Sequence, residues 1–243
     1  MVCGNILVNK VYIYNEIYNA MSNPTLHYIT VATKPHIVLN NIKKRLESQG
    51  EEITVLGEQE DRNIGWNAKG NFGVKIKEVR DFIMRPEIKS NDIVLFTDAY
   101  DVIYGGNLRE IRQRYEAMIK PIIFGCETEC NPDPTLKNQY KNTNEDFSFL
   151  NSGMFIGKVY ALRQLMDGYE YDDKHDDQLY WTKHFLNKPE IIGLDYRNEL
   201  FLNTYKVDME EIRWDRKQFE YKGKNPQFVH VNGPDKQDLM HFL

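Results

Sequence analysis

The chain has 243 residues, 41% hydrophobic and 28% charged, with 31 Lys and Arg against 36 Asp and Glu and a net charge of −5. This is the composition of a folded globular chain of one large or two small domains, long enough to bury a core without staples. It argues against a non-specific nucleic-acid binder, which needs a basic excess, and no run reaches the ~18 apolar residues of a membrane span.

Residues 1–25 read as an N-terminal extension in which Ile6, Val8, Val11, Ile13, Ile17 and Tyr18 can line a short helix or strand. They lack the basic start and apolar stretch of a secretory leader, so none is expected. One domain is predicted over 26–243. Tyr28–Ala32 is a short apolar, β-branched run and predicts a buried strand. Over Ile37–Gln49, Val38, Leu39, Ile42 and Leu46 share one helical face, and Gly50 is a stop signal. Ile53–Leu56 predicts a second strand, Gly57–Gly73 a glycine-rich loop, and Val74–Met84 a helix ended by Pro86. Ile93–Phe96 predicts a third strand between Asp92 and Asp98. Asn107 is a cap for a helix to about Met118, and Ile122–Phe124 predicts a fourth strand. The second half is less regular. Leu150–Gly157 reads as a polar turn leading into a strand framed by glycines, Asp176–Leu186 as a helix, and Ile191–Leu194 and Phe228–Val231 as strands.

Alternating strands and helices predict an α/β, mostly parallel sheet with helices on both faces. Ligands of such sheets bind at the carboxyl ends of the strands. Chemistry is therefore sought just after Ala32, Phe96, Phe124 and Val229.

Asp98 and Asp101 follow directly on a predicted strand. Two hard oxygen donors there suit Mg²⁺ or Mn²⁺ on a diphosphate, and equally a plain polar turn. His230 lies in a strand-like run, where a lone histidine is more often a satisfied core residue. An imidazole joined to two carboxylates, however, suits Mn²⁺ better than an all-oxygen set would. Gly233 and Lys236 can offer backbone N–H groups and a positive charge to a phosphate. Asp172, Asp173, Asp176 and Asp177 place four carboxylates within a short stretch, where they repel one another. They read as an acidic pocket for a cationic acceptor or a sugar cation, or as a solvated loop with Asp176 capping the next helix. Tyr100 and Trp66 can stack on a base, and Lys75 can face a phosphate; each also serves as an ordinary structural residue. Cys3, Cys126 and Cys130 read as free thiols in a reducing compartment.

Five stretches, Ile29–Thr33, Phe96–Ile103, Leu150–Gly157, Asp176–Tyr180 and His230–Pro234 with Lys236, resemble the glycosyltransferase domain of the multifunctional procollagen lysyl hydroxylases. They follow that family's order over about residues 26–243. The resemblance implies a GT-A-like, Rossmann-type fold. It implies Mn²⁺-dependent, retaining transfer of glucose or galactose from a UDP-sugar to hydroxylysine or galactosyl-hydroxylysine of a collagen-like polypeptide. By position, Asp98, Asp101 and His230 would hold the metal, Tyr100 would stack on uracil, and Thr33 would lie near the base. Lys75, Asn151, Gly233 and Lys236 fall at nucleotide-sugar positions, and Trp66 would be a second stacking partner. Asp176 and Asp177 fall in the family's aspartate run, at the catalytic sugar and acceptor end, and Cys130 matches a site-adjacent cysteine. Lys174 and His175 interrupt that run, and Asn131 stands where the family has tryptophan, so acceptor specificity is where departure is expected.

The hydroxylase part is not expected in 243 residues. Three rival readings stand beside the transferase. One is a catalytically weak UDP-binding scaffold and another an aspartate-dependent phosphohydrolase; the third is an Fe(II) oxygenase using His175, Asp177 and His230. No nucleic-acid or membrane partner is expected, and a homodimer is left open. Abundant Asn and Tyr, together with the occurrence of homologues in giant DNA viruses, set the expectation of a cytoplasmic or virus-associated site.

Overall fold

The computed structural model describes residues 23–65, 70–141 and 146–243. The apolar positions noted before residue 23, and Trp66, lie outside them. Eleven strands and five helices are described. The first half runs β1 (Leu26–Val31), α1 (Ile37–Gln49), β2 (Thr54–Leu56), α2 (Gly73–Ile83), β3 (Ile93–Thr97), β4 (Val102–Tyr104), α3 (Leu108–Glu116) and β5 (Ile122–Glu127). The second half runs β6 (Phe149–Lys158), α4 (Val159–Met166), α5 (Asp177–Asn187), β7 (Ile192–Leu194), β8 (Phe201–Asn203), β9 (Ile212–Trp214), β10 (Phe219–Tyr221) and β11 (Phe228–His230).

The central sheet has the order β2-β1-β3-β6-β5-β7. All its strands run parallel except β6, which lies antiparallel between β3 and β5. The expectation of a mostly parallel α/β sheet therefore holds. The inner strands β3, β6 and β5 are buried on both faces, as parallel sheets require. On one face Phe96 stacks on Phe155, and Phe124 and Phe155 meet Trp181 of α5. On the other, Tyr28 of β1 meets Tyr104 and Phe228 of a second, three-stranded sheet, β4-β11-β8. Helix α1 packs against β4 of that sheet. Each fully buried phenylalanine contributes roughly 1.5–3 kcal/mol.

Local chemistry explains the helix limits. Gly50 closes α1 with φ of 71°, the left-handed region that glycine enters freely. The Asn107 side chain accepts from Glu110 N, the predicted cap of α3, which ends two residues before Met118. Leu150–Ser152 is not a turn: it lies within the ten-residue strand β6, where Leu150 and Asn151 pair with Cys126 and Gly125 of β5. Helix α4 and strands β4, β8, β9 and β10 were not predicted from the sequence.

Candidate active site

The carboxyl ends of β1, β3, β5 and β11 converge. Asp98 lies one residue past β3, and its backbone N–H donates to the Gly153 carbonyl of β6 at 2.8 Å. Asp101 lies just before β4, and His230 is the last residue of β11, antiparallel to β4 with His230 opposite Val102. One ligand atom from each of Asp98, Asp101 and His230 lies within 4.8 Å of the others. His230 Nε2 is 3.3 Å from Asp101 Oδ1 and 3.9 Å from Asp98 Oδ2. This is the one cluster of three such residues among the described residues, and it is the predicted one. His175 is not in it; its Nδ1 bonds the Tyr169 hydroxyl at 3.0 Å.

Two lysines approach the cluster. Lys75, in the first turn of α2, is buried and places Nζ 2.8 Å from Asp98 Oδ1 and 2.7 Å from Asp177 Oδ2. Lys236 Nζ is 2.7 Å from Asp101 Oδ2 and donates to the Val231 carbonyl at 2.6 Å. Burial disfavours the charge on Lys75, but the two carboxylates outweigh it and raise its pKa. Burial pushes the Asp98 carboxyl up against the pull of Lys75. Burial also opposes ionisation of Asp101, yet His230 and Lys236 prevail and hold it below the usual carboxylate range.

The remaining predicted residues fall into two groups. Thr33 and Tyr100 meet: the Tyr100 hydroxyl accepts from the Thr33 and Lys34 N–H groups at 2.9 and 3.0 Å, with the His36 ring 5.1 Å away. The Tyr100 ring is thus held beside the end of β1. Asn151 is buried in β6, its Oδ1 accepting from Gly153 N at 3.0 Å. Gly233 has φ of 92°, and a Cβ there would lie 2.6 Å from the Tyr205 ring. Of the acidic stretch, Asp177 alone joins Lys75; its Oδ2 also accepts from the Ser152 hydroxyl at 2.8 Å. Asp176 caps α5, accepting from Leu179 N at 2.8 Å. Asp173 is held by Arg62 through two bonds of 2.7 and 2.8 Å, and Asp172 accepts from Lys174 N. Cys130 is buried, its thiol 3.4 Å from the Asp133 carbonyl.

Sequence reasoning missed Glu127 and Asn203, and placed Gly153 only within the glycine-framed Leu150–Gly157 run. Glu127, the last residue of β5, is buried and accepts from amides of Gln178, Asn232, Asn151 and Asn131. Burial outweighs these donors and pushes its carboxyl up to about 7. The end of β5 was singled out, but the strand was predicted to stop at Phe124 instead of running to Glu127. Gly153 lies under the imidazole: a Cβ there would be 2.3 Å from His230 Cε1 and 3.0 Å from Asp98 Oδ2. Asn203 Oδ1 lies 2.8 Å from His230 Nδ1.

A family profile described as "PLOD GT domain" matches residues 22–243. The chain is 34% identical over 233 residues to procollagen-lysine,2-oxoglutarate 5-dioxygenase of Drosophila melanogaster, covering 89% of this chain and 32% of that protein. It is 31% identical to the multifunctional procollagen lysine hydroxylase and glycosyltransferase of Caenorhabditis elegans, covering 89% of this chain and 31% of the relative. It thus spans about a third of the length of these relatives. The crystal structure of a glycosyltransferase involved in glycosylation of the major capsid of PBCV-1 is similar over 90% of this chain and 100% of that one, at 11% identity and a TM-score of 0.48. With the profile spanning almost the whole described chain, this protein belongs to the PLOD glycosyltransferase-domain family.

Proposed function

We propose that the chain transfers glucose or galactose from a UDP-sugar to hydroxylysine or galactosyl-hydroxylysine of a collagen-like polypeptide, with Mn²⁺ and with retention at the anomeric carbon. The observation that carries the reading is the meeting of Asp98, Asp101 and His230 at the mouth of the sheet in a chain of this family. The donor set fits a divalent ion. Two carboxylates and one imidazole suit Mn²⁺, and the bare Gly153 backbone leaves room for the imidazole beside Asp98. Bound by these three residues, the ion would supply Lewis-acid neutralisation of the charge gathering on the departing diphosphate.

The protein groups act around that point. Lys236, partly exposed, and Lys75, buried, add fixed positive charge where negative charge develops on UDP. The Tyr100 ring, anchored through its hydroxyl, offers a face for uracil. Asp177, set in place by Lys75 and Ser152, is the carboxylate we assign to stabilising positive charge on the sugar. Asp176, turned onto the α5 backbone, serves by fixing the start of the helix that carries Asp177.

The test is release of UDP from UDP-glucose and UDP-galactose, with and without Mn²⁺, on peptides bearing hydroxylysine or galactosyl-hydroxylysine. Mn²⁺-dependent turnover that needs the peptide is expected, and Asp98→Ala is expected to abolish it. Full activity of Asp98→Ala, or turnover indifferent to divalent ions, would overturn the reading.

A further inference from the structure

We propose that Asn203 is the positioning residue that fixes His230 as a metal ligand and ties the small sheet to the large one. The inference rests on the metal reading of Asp98, Asp101 and His230. Asn203 ends β8, paired in parallel register with His230 on β11, so the two side chains stand side by side. Asn203 is fully buried. Its Nδ2 donates to the Cys126 carbonyl of β5 at 2.8 Å. A carbonyl can only accept, so this bond settles the amide orientation and turns Oδ1 towards His230 Nδ1, 2.8 Å away. The proton of the neutral ring therefore belongs on Nδ1. Nε2, which faces Asp98 and Asp101, keeps its lone pair for a cation.

The same side chain is a strut between two sheets. Cys126 belongs to the central sheet, to which Asp98 is tied by its N–H on the Gly153 carbonyl, and His230 belongs to the three-stranded one. Besides packing, the hydrogen-bonded path from the Cys126 carbonyl through Asn203 to the imidazole sets where Nε2 stands relative to Asp98. The space is close-fitting: a Cβ on Gly125 would lie 3.0 Å from Asn203 Nδ2. Among the described residues, Asn203 is the side chain that meets His230 Nδ1.

Two variants separate positioning from simple packing. Asn203→Leu removes both bonds. Asn203→Asp loses the donor to Cys126 but keeps an acceptor for His230 Nδ1. Both are expected to melt lower than the unaltered chain. Mn²⁺ affinity, measured on the whole chain without nucleotide by the electron-spin signal of free Mn²⁺, is expected to fall about tenfold to a hundredfold in Asn203→Leu. In Asn203→Asp it is expected to stay at or above that of the unaltered chain. An affinity that falls equally in both variants, in step with melting temperature, overturns the proposal. In the unaltered chain loaded with diamagnetic Cd²⁺, the imidazole nitrogen spectrum is expected to place the His230 proton on Nδ1; a proton on Nε2 overturns the proposal even if Asn203→Leu does not fold. Should Asn203→Leu bind Mn²⁺ as the unaltered chain does while His230→Ala does not, the metal centre stands and the role of Asn203 falls. Should the unaltered chain take up no Mn²⁺, the centre itself falls, and this inference with it.

Discussion

Two stretches of the chain are rich in aspartate, and they fold to different ends. Asp98 and Asp101 flank a turn at the mouth of the central sheet, where burial, two lysines and an imidazole surround them. Asp172–Asp177 holds more acids, yet three of its four aspartates stay outside the site: one holds a turn, one pairs with the distant Arg62 and one caps α5. Only Asp177 reaches the site. Density of charge was the weaker signal. A carboxylate at the end of a buried strand cannot reach bulk water easily and must find partners, whereas one in an exposed loop has solvent and neighbouring N–H groups at hand.

The sharpest way to break this contrast is to disturb the first region without touching a charge. Gly153→Ala places a methyl 2.3 Å from His230 Cε1 and 3.0 Å from Asp98 Oδ2, so the imidazole must move to admit it. The expected cost is about 1–3 kcal/mol of stability, with Mn²⁺ uptake falling at least about tenfold. Calorimetric melting and a Mn²⁺ titration check the pair. An alanine variant with unaltered uptake would mean that the three donors do not act together. A matching small-residue change just before the acidic stretch, Gly168→Ala, has nothing within 4 Å to meet, although its φ of 69° makes it costly in backbone terms. Its effect should be on stability alone.

Glu127 extends the comparison to a third acid, alone at the end of its strand. The folded chain holds its proton more tightly than an unfolded one, where the carboxyl titrates near 4.5. Its contribution therefore favours the fold below about pH 4.5 and is lost as pH rises through 7. Over that interval the difference amounts to about 3 kcal/mol. Glu127→Gln should flatten the fall in melting temperature between pH 5 and 8 relative to the unaltered chain. Parallel curves for the two proteins would remove Glu127 from the account, since Asp98, also raised by burial, titrates in both.

These cases show what a sequence can and cannot carry. Asp98 and Asp101 were legible because a β-branched run announces a strand and the acids follow it at once. His230 was legible as a strand residue, but its sheet was not: β4, β8 and β11 have three residues each, too short for any periodicity. Helix α4 escaped notice because no side chain caps its start. Asn151 and Ser152 have the composition of a turn. They sit in β6 because their polar groups are satisfied there, Asn151 by Gly153 N and Glu127, Ser152 by Asp177. The Lys75 pairing was invisible for a different reason: its partner Asp177 lies far along the chain, on a helix brought alongside by packing of α2 against α5.

A last contrast lies within the acidic stretch itself and sets its two ends against each other. Asp177→Ala leaves the buried ammonium of Lys75 with Asp98 alone and strips the Ser152 hydroxyl of its acceptor. That should cost about 2–3 kcal/mol, the scale of a hydrogen bond to a buried charge, together with most of the sugar transfer. Asp173→Ala removes a bidentate partner of Arg62, but its side chain is 40% exposed. Screening and the entropy of two ordered side chains leave such a pair worth about 0.2–1 kcal/mol. Transfer measured on the same peptides should be close to that of the unaltered chain. If the two variants lose activity alike, the acidic stretch acts as one unit on the acceptor, and the distinction drawn between its aspartates fails. If only Asp177→Ala does, the interruption of the run by Lys174 and His175 falls where the chemistry does not need the charge.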